Sequence, residues 1–154
     1  MSQSRLNLYP ARPLHPVHAV LLGGSLPLFL GAFLTDWAYA ASFEVQWKNF
    51  AAWLLVGALL FSGFAMLFAL VDLVRGLGRG LIYFVILLAS FGLGLVNAFV
   101  HAKDGWASMP LAMILSVITA ALIVVACWFG FATIRAVRVT KAAPTTAYTT
   151  GEVR

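Results

Sequence analysis

Two groups of polar side chains could do chemistry in this otherwise apolar sequence. The first contains His15 and His18, which stand three residues apart in the string His15-Pro16-Val17-His18. Because Pro16 fits the first turn of a helix, both imidazoles would lie on one face. Asp72 would join them if a second helix returns to that end. This set suits a divalent metal or a proton-handling role. Otherwise His15 caps the helix and His18 lies half hydrated among lipid headgroups.

The second group combines Asp36 with Asn97 and His101. Asn97 and His101 are four residues apart and so point to the same side of a helix. Asp36 is about 27 Å from His18 along one helix, so this group belongs to the opposite end of the molecule. A buried carboxylate needs a partner, and His101 or Lys103 would supply it. Two interpretations stay open: an interhelical polar clamp, or a binding or proton-transfer site.

Membrane-spanning helices must position both groups. Of the 154 residues, 62% are hydrophobic and 10% are charged, whereas soluble domains have about 45–50% and 25%. This composition excludes a soluble globular protein. Four apolar stretches, residues 19–41, 50–71, 81–100 and 109–134, reach the length of about 20 residues that a hydrocarbon core requires. We predict an all-α fold, an integral membrane four-helix bundle with up-down-up-down topology.

The positive charges set the expected orientation. Ten Lys and Arg against five Asp and Glu give a net charge of +5, without the basic stripe that nucleic-acid binding needs. Eight basic residues fall in the N-terminal segment, the second loop and the tail, whereas only Lys48 and Lys103 fall on the other side. Because cytoplasmic loops carry the excess of Lys and Arg, we expect an inner-membrane protein with both termini in the cytoplasm.

The segments outside the four apolar stretches are expected to lie outside the membrane. Residues 1–18 form a cytoplasmic N-terminal segment, and residues 135–154 form a cytoplasmic, disordered tail that is polar and Thr-rich near its end. A cleaved secretory signal is the alternative for the first stretch, because residues 38–40 are Ala-Tyr-Ala. Cleavage would leave three helices. The stretch is longer than a signal core, and Asp36 lies awkwardly before the cut.

Pro27 lies inside the first apolar stretch and predicts a kink, because it removes the backbone hydrogen bond to Gly23. A kink beside Gly23 and Gly24 would let another helix approach closely. Tyr83 opens the third stretch, as is typical of an aromatic belt. The single cysteine, Cys127, excludes an internal disulfide. Further small residues favour tight packing: Gly57, Gly63, Gly92 and Gly94. Secondary polar candidates are Ser25, Ser62, Ser90, Ser116 and Thr119.

Several histidines in a small helical membrane protein raise the question of a bound haem. Bis-His ligation requires two imidazoles on different helices at one depth. His15 and His18 fall at one end of the bundle and His101 at the other. We therefore predict no cofactor within one chain, with haem or a divalent metal as the alternatives and a haem shared between subunits left open.

The string HPVHAVLLGGSLPLFLGAFLTDWAY resembles the start of bacterial membrane proteins grouped as domain of unknown function 2231. In that family a His-Pro-x-His-Pro motif is followed by an intramembrane Pro and then an Asp. ALVDLVRG is similar to the family's Gly-Leu-x-Asp ending, and CWFGF to its Gly-Trp-x-Gly-Gly ending; the resemblance covers roughly residues 13–138. The matching positions are His15, Pro16, His18, Pro27, Asp36 and Asp72.

The chain departs from the family pattern at three places. Ala19 stands where the second Pro would be, Phe131 stands where the last Gly would be, and the third stretch lacks a His in its first half. The missing His weakens a metal or haem site. The resemblance implies a membrane companion of periplasmic quinoprotein sugar dehydrogenases and c-type cytochromes.

These observations favour a non-enzymatic accessory or anchoring subunit that contacts the lipid bilayer and a membrane or periplasmic protein. One alternative is a haem- or metal-binding electron-transfer subunit, which would use the first group of side chains or His101 with Asp36. The other is a small proton or solute conduit, in which Asp36, Pro27 and Asn97 would matter. Four helices are few for a conduit, so that alternative calls for a homo-oligomer.

Overall fold

Four helices make up nearly all of the structure, a computed structural model that describes residues 14–75, 80–103 and 105–142, with side chains over 14–75, 81–103 and 107–132. A short 3₁₀ turn, Gly105–Ser108, precedes the last helix. The described residues contain no strand. The helices are α1 (Pro16–Ser42), α2 (Val45–Val74), α3 (Gly80–His101) and α4 (Leu111–Ala142).

Each helix is long and apolar enough to cross a membrane, which confirms the four predicted spans. The helices exceed the apolar stretches at several ends, because backbone hydrogen bonding continues through polar flanks that a count of apolar residues leaves out. α2 begins at Val45 rather than residue 50, and α4 ends at Ala142 rather than residue 134. Residues 135–142, assigned from the sequence to a disordered tail, are therefore helical. Of the predicted terminal segments 1–18 and 135–154, residues 1–13 and 143–154 lie outside the described residues, and residues 16–18 belong to α1.

Along α1 and α2, the spacing between successive buried residues alternates between three and four. This is the heptad pattern of left-handed bundles, in which each helix crosses its neighbour at about 20°. Most buried side chains are small, so the helix backbones approach closely, as membrane helices require. The buried residues of α1 are His18, Leu22, Ser25, Phe29, Ala32, Asp36 and Tyr39. Those of α2 are Ala51, Leu55, Ala58, Ser62, Ala65 and Ala69.

The topology is up-down-up-down, as predicted. α1 packs on α2 and α4, and α3 packs on the same two helices. α1 and α3 therefore lie diagonally and run in the same direction. Their register is constant, because an offset of 65 residues separates both His18 from Tyr83 and Asp36 from His101. The contact between Phe29 and Gly94 follows the same register.

Two glycines explain how the helices come so close. A Cβ on Gly94 would lie 2.9 Å from the ring of the fully buried Phe29, and a Cβ on Gly24 would lie 2.6 Å from the ring of Phe61. The predicted close approach beside Pro27 is thus present, and α1 runs through Pro27 as one helix. Gly92 was grouped with Gly94 as a packing residue, but a Cβ there would meet nothing within 4 Å.

Gly94 and Gly92, both on α3, give a matched pair of substitutions. Gly94→Ala should lower the free energy of unfolding by about 1–3 kcal/mol, because the fully buried ring of Phe29 and the side chain of Leu59 would have to shift. Gly92→Ala should raise it by about 0.5–1 kcal/mol, because alanine restricts the unfolded chain and fits the helix. Unfolding in mixed detergent micelles measures both. Equal effects of the two substitutions would show that the α1–α3 contact is loose.

Candidate functional site

A ring of hydrogen bonds lies at the end of the bundle where α1 finishes. His101 Nε2 lies 2.8 Å from Asp36 Oδ1, and Ser116 donates to Asp36 Oδ2 at 2.5 Å. Asn97 Nδ2 donates to the Ser116 hydroxyl at 2.7 Å, and His101 Nδ1 donates to the backbone carbonyl of Asn97 at 2.9 Å. All four residues are buried. We call them the Asp36 cluster; they join α1, α3 and α4.

This ring of hydrogen bonds determines how many protons the buried pair of His101 and Asp36 holds. The carbonyl of Asn97 can only accept, so Nδ1 of His101 carries a hydrogen. One further proton lies between His101 Nε2 and Asp36 Oδ1. The pair is then either an imidazolium with a carboxylate or a neutral imidazole with a carboxylic acid, and its net charge is zero in both cases. A buried pair with no net charge avoids the large cost of an isolated ion in a membrane.

The Asp36 cluster brings together all three residues that the sequence placed at this end. Asp36 takes His101 as its partner, one of the two that were expected. Lys103 is exposed instead, and its backbone carbonyl accepts a hydrogen bond from Lys48 Nζ. Ser116, only a secondary candidate from the sequence, proves to be the bridge between Asp36 and Asn97. The bridge depends on α4 facing α1 at this depth, which no local pattern shows.

A second group of polar contacts lies at the opposite end. His18 is 1% exposed, and its Nε2 lies 2.8 Å from the hydroxyl of Tyr83. Its Nδ1 lies 4.0 Å from Oδ2 of Asp72, whose side chain is 43% exposed. The ring of Phe68 stacks on His18 with centroids 5.7 Å apart. We call His18, Tyr83, Asp72 and Phe68 the His18 cluster.

Two sequence-based expectations change at this end. His18 is not half hydrated, because Tyr83 and Phe68 cover its ring. Tyr83 was treated only as an interface aromatic, yet it is the hydrogen-bond partner of His18. A signal was available: Tyr83, Ser90 and Asn97 recur every seven residues, which puts them on one face of α3.

His15 takes the structural role that was one of its two interpretations. Its Nδ1 accepts a hydrogen bond from the backbone N–H of Val17 at 3.3 Å, so the side chain caps α1. Among the residues that the structure describes, no three His, Cys, Asp or Glu side chains are placed to hold a metal ion.

Removing the bridge of the Asp36 cluster should destabilise the bundle. Ser116→Ala leaves Asp36 Oδ2 and Asn97 Nδ2 buried without that partner, so we expect the free energy of unfolding to fall by about 1–3 kcal/mol. Ser62→Ala is the matched control, because Ser62 is equally buried and donates to the Ala58 carbonyl of its own helix. Unfolding in mixed micelles compares the two; a Ser116→Ala protein as stable as Ser62→Ala would contradict the clamp.

The comparisons with known proteins identify a family and no activity. No curated protein and no solved structure matches this chain. The family model described as "Predicted membrane protein (DUF2231)" matches residues 14–143, from just before the cap of α1 to just past the end of α4. The match spans both clusters and all four helices, so the chain belongs to the DUF2231 family of membrane proteins.

Proposed function

We propose that this protein is a non-enzymatic accessory or anchoring subunit of the inner membrane. The observation that carries the proposal is the mutual pairing of the buried Asp36, His101 and Ser116 side chains. Both carboxylate oxygens of Asp36 are engaged, by His101 and Ser116. His101 uses both ring nitrogens within the same ring of bonds. Groups that are committed to one another hold helices together, and a substrate or cofactor would have to break those bonds.

The outer surface supports a role in which the bundle presents helix faces to its surroundings. Large apolar side chains project from each helix, among them Val20 on α1 (68% exposed), Trp53 on α2 (70%), Phe99 on α3 (68%) and Trp128 on α4 (72%). Lipid covers such faces in a bilayer, and a partner helix can replace lipid where the shapes fit. The proposed partner is a membrane or periplasmic protein; the family resemblance favours a quinoprotein dehydrogenase or a cytochrome.

Photo-crosslinking from single positions tests the proposal. A photoreactive amino acid replaces Val20, Trp53, Phe99 or Trp128 in turn, and buried Phe29 serves as the control position. We expect one or two neighbouring faces to crosslink the same protein in native membranes, identified by mass spectrometry, while the remaining faces and Phe29 give none. Lipid adducts alone at all four faces would contradict a subunit role.

Haem binding is the alternative that a spectrum would reveal. In the structure, His18 pairs with Tyr83 and His101 with Asp36, and these pairs are 18 residues apart, about 27 Å of helix rise. A near-stoichiometric Soret band in the reduced-minus-oxidised spectrum of the purified protein would replace the accessory role with electron transfer. The haem would then be held by Met or a single His of one chain, or by ligands from two subunits.

The orientation forms part of the same proposal. Lys48 and Lys103, the two basic residues of the sparse side, meet at the end that holds the Asp36 cluster. The eight-to-two distribution of Lys and Arg supports an orientation with that end in the periplasm and both termini in the cytoplasm. A green fluorescent protein fused after Arg154 should therefore fluoresce, and alkaline phosphatase fused there should be inactive. Active phosphatase with dark fluorescent protein would reverse the orientation.

A further inference from the structure

The last part of α4 continues beyond the apolar stretch of its sequence. That stretch ends at residue 134, whereas the helix runs to Ala142, about 12 Å of rise further. The additional residues include three basic ones, Arg135, Arg138 and Lys141, and no acidic one. We call residues 135–142 the basic extension. It keeps a helical backbone at the place where a polar tail was expected.

The level of the basic extension follows from the pairing of α1 with α4. The two helices are antiparallel, and Asp36 of α1 accepts a hydrogen bond from Ser116 of α4. Fourteen residues further along each helix, a Cβ on Gly130 would meet the side chain of Leu22. The register is therefore constant over this distance. Continued for five residues, it brings the first residue of the basic extension level with the start of α1.

This level corresponds to the edge of the hydrocarbon core. The apolar span of α1 begins with the helix itself, at Pro16. Lipid headgroups occupy about 5–8 Å beyond the core on each side of a bilayer. Arg138 and Lys141 follow Arg135 at about 4.5 and 9 Å of helix rise. The basic extension thus passes through the layer in which the lipid phosphates lie.

The three basic residues of the extension share one sector of the helix. A step of three residues turns an α-helix by about 300°, so each basic residue is displaced by about 60° from the one before it. All three positions then fall within about 120°. A helical backbone fixes their spacing, so the three positive charges form a row at defined depths.

The two ends of the bundle differ in net charge. Arg75, which is exposed at the end of α2, adds a fourth positive charge at the end with the basic extension. Asp72 is the one acidic residue that the described part of the chain places there, which leaves a net charge of +3 with histidine neutral. The sequence balances the charges of the opposite end, which come from Lys48, Lys103, Glu44 and Asp104.

We propose that the basic extension, together with Arg75, binds the headgroups of anionic phospholipids in the adjoining leaflet. A basic residue close to an anionic surface favours binding by a factor of about five. Zwitterionic lipids carry no net charge, so the net charge of +3 selects for anionic ones. Trp128 lies one heptad before Arg135 on α4 and is 72% exposed, which leaves apolar surface for the acyl chains below the headgroups. This binding goes beyond the accessory role.

Spin-labelled lipids measure the selectivity. The full-length protein is reconstituted into phosphatidylcholine bilayers at low salt with traces of spin-labelled phosphatidylglycerol or phosphatidylcholine. The fraction of label that is immobilised at the protein gives the ratio of the two association constants. Averaged over all lipids around the bundle, we expect a preference of about twofold or more for phosphatidylglycerol, which salt should reduce towards one.

Two double variants locate the site. Arg135→Gln with Arg138→Gln removes two positive charges from the basic extension, and Lys48→Gln with Lys103→Gln removes two from the opposite end. The first variant should bring the ratio of association constants close to one, and the second should leave it as in the wild type. Each substitution keeps a polar side chain at the edge of the membrane, so neither variant buries an uncompensated group.

Three results would overturn the proposal: a wild-type ratio of one at low salt, an unchanged ratio in the Arg135 and Arg138 variant, or equal losses in both variants. Replacing chloride by inorganic phosphate at equal ionic strength should leave the wild-type ratio unchanged. A loss specific to phosphate would assign the site to a free anion and reject the lipid. Crosslinking to a protein partner is independent of these ratios, so the accessory role and the lipid site fail separately.

Discussion

The bond between Asp36 and His101 is the interaction on which the arrangement of this bundle most depends. It joins two diagonal helices, and Ser116 and Asn97 extend it to a third. A carboxylate in hydrocarbon cannot replace its protein partners with hydrogen bonds to water, so the helices that carry those partners must stay in place. The same bond sets the register of α1 against α3, because an offset of 65 residues at this end continues to His18 and Tyr83 at the other.

Packing along the interior is consistent with that register. Lipid tails are as apolar as leucine, so burying apolar side chains contributes little to helix association in a membrane. Close contact between backbones contributes instead, and the interior of α2 is built mainly of alanine and serine. The opposing positions follow the same logic, since the ring of Phe29 occupies the space that Gly94 leaves. The largest fully buried side chain, Phe29, is thus matched with a glycine of the diagonal helix.

The two ends of the bundle differ in how completely their ionisable side chains are hydrogen-bonded. In the Asp36 cluster the ring of bonds is complete around the carboxylate, whereas Nδ1 of His18 lies 4.0 Å from an aspartate that water can reach. A complete ring resists rearrangement, whereas the incomplete set leaves Nδ1 of His18 without a hydrogen-bond partner among the described residues. This asymmetry is compatible with an accessory protein whose helices are held together at one end.

Hydropathy and periodicity determined the architecture: four apolar stretches of bilayer length predicted the four spans, and the spacing of Asn97 and His101 put both on one face with Asp36 at the same end. That much follows from lengths and from helical geometry, which are local properties. The sequence did not determine which side chains pair across helices. Tyr83 meeting His18, and Ser116 bridging Asp36 to Asn97, depend on the rotation and depth of one helix relative to another. Only packing decides these, because the contacts that set rotation and depth join residues far apart in the chain.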